Sequence, residues 1–229
     1  MPIRQFRLRS RGESDPSTRV ELAELAPPVV PYLGLVAYTQ LEVFEAASRA
    51  VALAPDLSAK DALSALAGQA LERHRVFEDL LVRRRQEPVR VMERFTAPVD
   101  AFIERIETED WPELVLTVYL LSAFFDDFFA ELARGVDEDP GRRAVELLGS
   151  GTAGEGVSRM LGAMVEHDRV LRDRLALWGR RLMGDSLLLA RSALVPSENA
   201  SRDAERIEPV FTELVARHMR RMDAIGLTA

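Results

Sequence analysis

Apolar positions recur along this chain at the spacing of helices rather than strands. From Tyr32 to about Leu53 the residues Leu33, Val36, Ala37, Phe44, Ala47 and Val51 fall on one helical face, and Pro55-Asp56 closes the run. Ser58, with Asp61 three residues on, predicts the N-cap of a second helix whose inward stripe is Leu63, Leu66, Ala70, Phe77 and Leu80, ending near Gln86. Pro88 and Pro98 each stand where a helix can start but not continue, so two short helical pieces are expected before Ile106. That connection is long enough for a crossover instead of a tight hairpin.

Thr108-Glu-Asp-Trp-Pro112 predicts the start of a third long helix, running to about Arg134 with Val115, Val118, Ser122, Phe125, Phe129 and Leu132 on one face. Further apolar residues widen that face, so this helix is expected to be the most buried. A helix from Pro140 is disturbed by Gly149, Gly151, Gly154 and Gly156 and resumes through Met160, Met164 and Val165. Another is expected from Val170 to Leu194, and a last from Arg206 to Ala224, packing through Val210, Phe211, Leu214 and Met222. No strand pattern emerges.

The 229 residues, 47% of them apolar, suffice for one all-α domain with a continuous core. Its expected parts are an irregular N-terminal arm over 1–27, a bundle over 28–195 and a C-terminal helix within 196–229 that packs on the bundle. The arm carries Arg4, Arg7, Arg9 and Arg11 with no apolar run after them, so no secretory signal is evident, and the most apolar stretch, Leu114 to Phe125, is too short to span a bilayer. A cytoplasmic protein with no membrane partner is expected. The net charge of -7 argues against a general attraction to nucleic acid. A local basic patch at Arg83, Arg84, Arg85 and Arg90 is the candidate RNA contact, against the plainer reading of a solvated helix end.

The chain has no Cys, which removes thiolate chemistry and leaves His and carboxylates for metal. Its 3 His are each preceded, three positions earlier, by an apolar residue: Leu71 before His74, Met164 before His167, Val215 before His218. The Glu-x-x-His pairs of a di-iron or di-manganese bundle are therefore missing. Gly149-Ser-Gly151-Thr-Ala-Gly154 matches a dinucleotide fingerprint in form only, because it interrupts a helix and follows no strand. More informative are polar residues on apolar stripes: Gln40, Arg73 and Ser122. Where those stripes face one another, an internal polar site is expected, in which each group must find a partner. The plainer alternative lets Arg73 reach solvent, Ser122 bond to its own helix and Gln40 meet a backbone carbonyl.

The segments Val36-Ala-Tyr38, Ala52-Leu-Ala-Pro-Asp-Leu57, Ala97-Pro-Val-Asp-Ala-Phe102, Asp110-Trp111 and Arg174-Leu-Ala-Leu-Trp-Gly-Arg-Arg181 resemble, in order and spacing, the ferritin-like family similar to MiaE, the iron- and oxygen-dependent tRNA hydroxylase. The resemblance covers roughly residues 30 to 195 and implies a ferritin-like four-helix-bundle core with flanking helices. It also implies where di-iron ligands stand in such proteins. Those positions fall here on Gln40, on Ala70 and Arg73, on Ser122, and on Ser150 and Ala153, a set without competent ligands.

The expected function is then a binding or scaffold protein that has lost metal-dependent catalysis, with no cofactor and a homodimeric state. Within that reading Arg73 takes the place of metal at the bundle centre, opposite a remaining carboxylate such as Glu42 or Glu72. One alternative is a di-iron hydroxylase of modified tRNA with ligands rearranged onto Glu42, Glu45, Glu72, His74, Asp126 or Asp127. Another is a carrier of an apolar small molecule beside the Phe-rich third helix.

Overall fold

The computed structural model describes residues 22–136, 138–194 and 200–227. Eight α-helices follow a 3-10 turn at Leu22–Leu25: α1 Val29–Ala52, α2 Leu57–Arg83, α3 Pro88–Ile103, α4 Trp111–Ala133, α5 Glu138–Gly149, α6 Ala153–Glu166, α7 Arg169–Ser192 and α8 Ala200–Ala224. Helices α1, α2 and α4, with α5 and α6 as the fourth member, form the core, while α3, α7 and α8 flank it. Helix α4 is buried on most of its circumference and touches α1, α5, α6, α7 and α8, as its breadth of apolar residues predicts. One half of the core packs Tyr32, Phe77, Phe124, Phe128 and Phe129, and the other packs Leu63, Leu116, Leu120, Leu161 and Leu175. Part of the expected arm joins this core, because Leu22 and Leu25 are buried and the 3-10 turn rests on α4. The arginines of residues 1–21, and the boundary expected at 195, lie outside the described residues.

Three local expectations are corrected. The N-cap of α2 is Asp56, whose Oδ1 accepts the Ala59 amide at 2.8 Å, and Ser58 already lies inside the first turn. An ionised carboxylate is the better partner for the helix dipole, and it stands immediately before the first helical residue. Pro98 does not split the connection into two pieces but sits within the single helix α3. Pro98 and Arg94 are both exposed, so the Arg94 carbonyl freed by the missing amide can turn to water. The last helix begins at Ala200, six residues before the expected Arg206, again carrying an internal proline, Pro209. By contrast the glycine-rich segment breaks the helix outright, at 150–152, between α5 and α6.

A small number of long-range polar contacts fix how the helices sit. Tyr32 donates to the Phe129 carbonyl at 2.9 Å, tying α1 to α4, and Tyr38 donates to Asp100 at 2.5 Å, tying α1 to α3. Gly34 lets α3 lie close on α1, since a Cβ there would stand 2.5 Å from Val91 Cγ1. Asp110 caps α4 and also pairs with Arg174 of α7, which reaches Glu113 at 3.4 Å. Trp111 donates to the Ala50 carbonyl and Trp178 to Thr117 Oγ1, each within 2.9 Å. No described helix is long and apolar enough to cross a membrane.

His218 is fully buried, although its sequence neighbours are arginines. Its Nε2 lies 3.0 Å from the Gly179 carbonyl, which can only accept, so Nε2 carries the proton and the buried Nδ1 is left without a partner. Burial holds its pKa below the ordinary 6.5, helped by the charge of Arg221 and opposed by the bond to Gly179. Because the folded value is depressed, the stability it contributes is complete above about pH 6.5 and is lost as pH falls through the lower folded value. Melting temperatures between pH 7.5 and 5 are therefore expected to fall more steeply for the native chain than for His218→Gln, and parallel curves would exclude this assignment.

Candidate functional site

Arg73 of α2 is the most consequential polar residue in the interior. It is 5% exposed, one turn after Ala70 and one before Phe77 on the stripe that faces the core. A guanidinium keeps its charge inside a protein, so its donors must be met where they lie. Nη1 donates to Asp126 Oδ2 of α4 at 2.6 Å, and Nε donates to the Leu147 carbonyl at 3.1 Å, with Nη2 at 3.5 Å from the Leu148 carbonyl. The last two are carbonyls of the final turn of α5, which have no intrahelical partner and carry the negative end of the helix dipole. Gln40 of α1, 1% exposed, completes the set by donating to Asp126 Oδ1 at 3.0 Å. One carboxylate and one guanidinium thus join α1, α2, α4 and α5.

Burial pushes the Asp126 carboxyl above the ordinary carboxylate range, while Arg73 and Gln40 pull it down and Asp127 pushes it up again. Its side chain keeps 16% exposure because it forms the floor of a cleft of about 560 Å³. Gln69, Tyr119, Ser122, Asp127, Arg159 and Arg221 are among the residues around that cleft. The break between α5 and α6 forms its rim. A Cβ on Gly151 would stand 2.8 Å from both Arg73 Nη2 and Gln69 Oε1, so the bare backbone is what lets the break close over the guanidinium. Asp127 Oδ2, sealed from solvent, lies 2.7 Å from Arg221 in an ion pair too bent to be a hydrogen bond.

Of the three polar residues picked out on the stripes, the structure brings two together. Gln40 and Arg73 converge, but on Asp126, and neither meets Ser122. Ser122 is buried and spends its hydroxyl on the Tyr119 carbonyl of its own helix at 3.2 Å. Glu42 and Glu72 are not the partners of Arg73: Glu72 is exposed and Glu42 lines a different cavity. From the sequence Asp126 stood only among the alternative metal ligands and not as the partner of Arg73, although it stands four residues after Ser122 and thus on the same face.

The rearranged ligand set does not assemble. Glu45 and Glu72 are exposed, and His74 packs between the Ala37 carbonyl, 2.8 Å from Nδ1, and Glu78, 3.2 Å from Nε2. His167 is an exposed residue at the end of α6. Among the described residues no group of three or more His, Asp or Glu converges as metal ligands would. At the positions implied by the resemblance, the donors do not fit a pair of cations. A fixed positive charge stands there already, and both oxygens of the nearby carboxylate are engaged by Gln40 and Arg73.

Two further features bear on function. Arg83, Arg84, Arg85 and Arg90 gather at the corner between α2 and α3, where Arg84 donates to the Leu80 carbonyl and closes the end of α2. Arg83, Arg85 and Arg90 are exposed, and Arg85 adopts a left-handed φ of 58° that turns the chain into α3. On the other side of α4, a chamber of about 150 Å³ opens among Val43 of α1, Val99 and Phe102 of α3, and Val118, Leu121 and Phe125 of α4.

A family model described as a ferritin-like domain of actinomycetes matches residues 24–202. No curated protein matches the chain.

Removing one partner of a buried ion pair strands the other, so Arg73→Leu is expected to lower unfolding stability by about 3 kcal/mol in urea titration. Arg73→Leu with Asp126→Leu is expected to regain much of that loss, though not the part due to the α5 carbonyls. An unchanged midpoint for Arg73→Leu would show that the pair does not hold the centre together.

Proposed function

The chain belongs to the ferritin-like domain family of actinomycetes, and from that membership we propose that it is a MiaE-like member that has given up metal-dependent catalysis and acts as a binding or scaffold protein. The observation that carries this reading is the guanidinium of Arg73 at the bundle centre, held by Asp126 and the end of α5. A cation built into the chain opposes two further cations in the same space. The MiaE-like part of the reading is supported by the order of the five resembling segments. Their residues here make the fixed contacts between helices: Tyr38 with Asp100, Asp110 with Arg174, and Trp178 with Thr117.

A scaffold needs a surface, and α7 offers one. Val170, Leu177 and Leu188 are exposed by 80%, 64% and 61%, and their spacing places them along one outer face of that helix. In this reading two copies bury this face against each other. A second reading, the carrier of a small apolar molecule, is favoured by the chamber beside α4, whose wall is mostly aliphatic and aromatic.

Protein purified after iron-supplemented growth is expected to hold far less than one iron per chain by elemental mass spectrometry. Stoichiometric iron would overturn the metal-free reading. For the dimer, light scattering is expected to give twice the chain mass for the native protein and the single chain mass for Leu177→Glu combined with Leu188→Glu. A monomeric native protein would remove α7 as the interface.

A further inference from the structure

The chamber beside α4 has a wall and a mouth of different chemistry. Its wall is apolar, with Val43, Val99, Phe102, Val118, Leu121 and Phe125 around a space of about 150 Å³, a size at which an apolar cavity in a protein holds a benzene ring. Thr39 spends its hydroxyl on the Leu35 carbonyl at 2.9 Å, and Thr117 accepts from Trp178 at 2.8 Å.

The mouth is charged and unbalanced. Glu42 is half-buried there, with Tyr38 one turn before it on α1, Glu45 one turn after, and Asp100 facing from α3. Tyr38 gives its hydrogen bond to Asp100 at 2.5 Å. Among the described residues that line the chamber Arg49 is the one cation, and it is exposed. Among the described residues neither Glu42 nor Glu45 forms an ion pair. Burial, Glu45 and Asp100 all push the Glu42 carboxyl up, while its contact with Tyr38 pulls it down. A half-buried carboxylate among other carboxylates, with no cation beside it, is costly unless something supplies the opposite charge.

We propose that the chamber binds a small amphipathic cation, an aromatic or short aliphatic primary amine, with its apolar body between Phe102 of α3 and Phe125 of α4 and its ammonium on Glu42. An anion of the same shape would meet Glu42, Glu45 and Asp100 and be repelled. A neutral analogue would bury the same area and forgo the charge-assisted bond, which by itself is worth roughly tenfold or more in affinity. The inference rests on the carrier reading for the chamber being a ligand site, and adds the charge of what enters.

Benzylamine, benzyl alcohol and benzoate have nearly the same shape and differ in charge, so calorimetric titration of each into the full chain at pH 7 tests the proposal. Benzylamine is expected to bind about tenfold more tightly than benzyl alcohol, with benzoate weakest. Glu42→Gln keeps the side chain's shape and is expected to make the amine and the alcohol equal. Ala46→Leu, which places a larger side chain at the chamber, is expected to weaken both. Equal binding of amine and alcohol by the native chain overturns the cation inference and leaves the carrier reading standing. A preference for the amine that survives Glu42→Gln, or amine binding indifferent to Ala46→Leu, overturns the assignment to this chamber. Binding of none of the three overturns the carrier reading together with the inference.

Discussion

The buried pair of Arg73 and Asp126 sets the terms for the rest of the structure. A guanidinium cannot be neutralised by losing a proton, so once α2 turns position 73 inward the surrounding helices must bring acceptors to it. They do so from two directions, Asp126 from α4 and the last carbonyls of α5, while Gln40 of α1 donates to the far oxygen of the carboxylate. The register of four helices is constrained at one point, and sliding any of them by a turn would leave a charge or a helix end unsatisfied. Well-packed apolar residues could hold the same helices together at no smaller stability. What the pair adds is a single permitted arrangement.

The same centre explains why the helix between Glu138 and Glu166 is broken. The chain stops at Gly149 and restarts at Ala153, and the exposed carbonyls at the stop are the ones Arg73 satisfies. A continuous helix would have bonded the Leu147 and Leu148 carbonyls to its own next turn and left the guanidinium short of acceptors. The glycines of the break serve that closure, Gly151 most directly, and the phosphate-binding pattern they spell has no strand before it. Around this centre the resembling segments act as fasteners. Tyr38, Asp100, Asp110, Trp111, Arg174 and Trp178 lock helix to helix, so the residues that carry the resemblance serve the architecture.

How far the molecule could be read from its sequence follows from the range of the forces involved. Helix periodicity is local, and so α1, α2, α4 and α7 stand close to where the apolar spacing puts them. Ser58 misled because Asp56, two residues earlier, offers the helix start a charged acceptor, and Pro98 because a helix keeps a proline where the freed carbonyl faces water, which the tertiary fold decides. The inward Arg73 and Gln40 could be found from their stripes, but their partner could not, since Asp126 closes an apolar run and looks like its polar end. Position along α4 was the available signal: Ser122 and Asp126 are one turn apart. His218 hid among arginines in the same way, although Leu214 four residues before it and Met222 four after share its buried face. The sequence suggested an apolar ligand beside the Phe-rich third helix but not the walls of its chamber or the charge at the mouth, because a void is made by side chains from several helices together.

The break over Arg73 has a consequence for how this centre comes into being. A ligand sphere built for iron must be filled after synthesis, and until then the protein exists in an empty form whose fate depends on supply and redox state. A guanidinium arrives with the polypeptide itself, at unit stoichiometry, in the first moment the helices meet. It cannot be oxidised away, exchanged for a competing ion or withdrawn by a chelator, and so the contact between Arg73 and Asp126 is complete as soon as the helices that carry it have met.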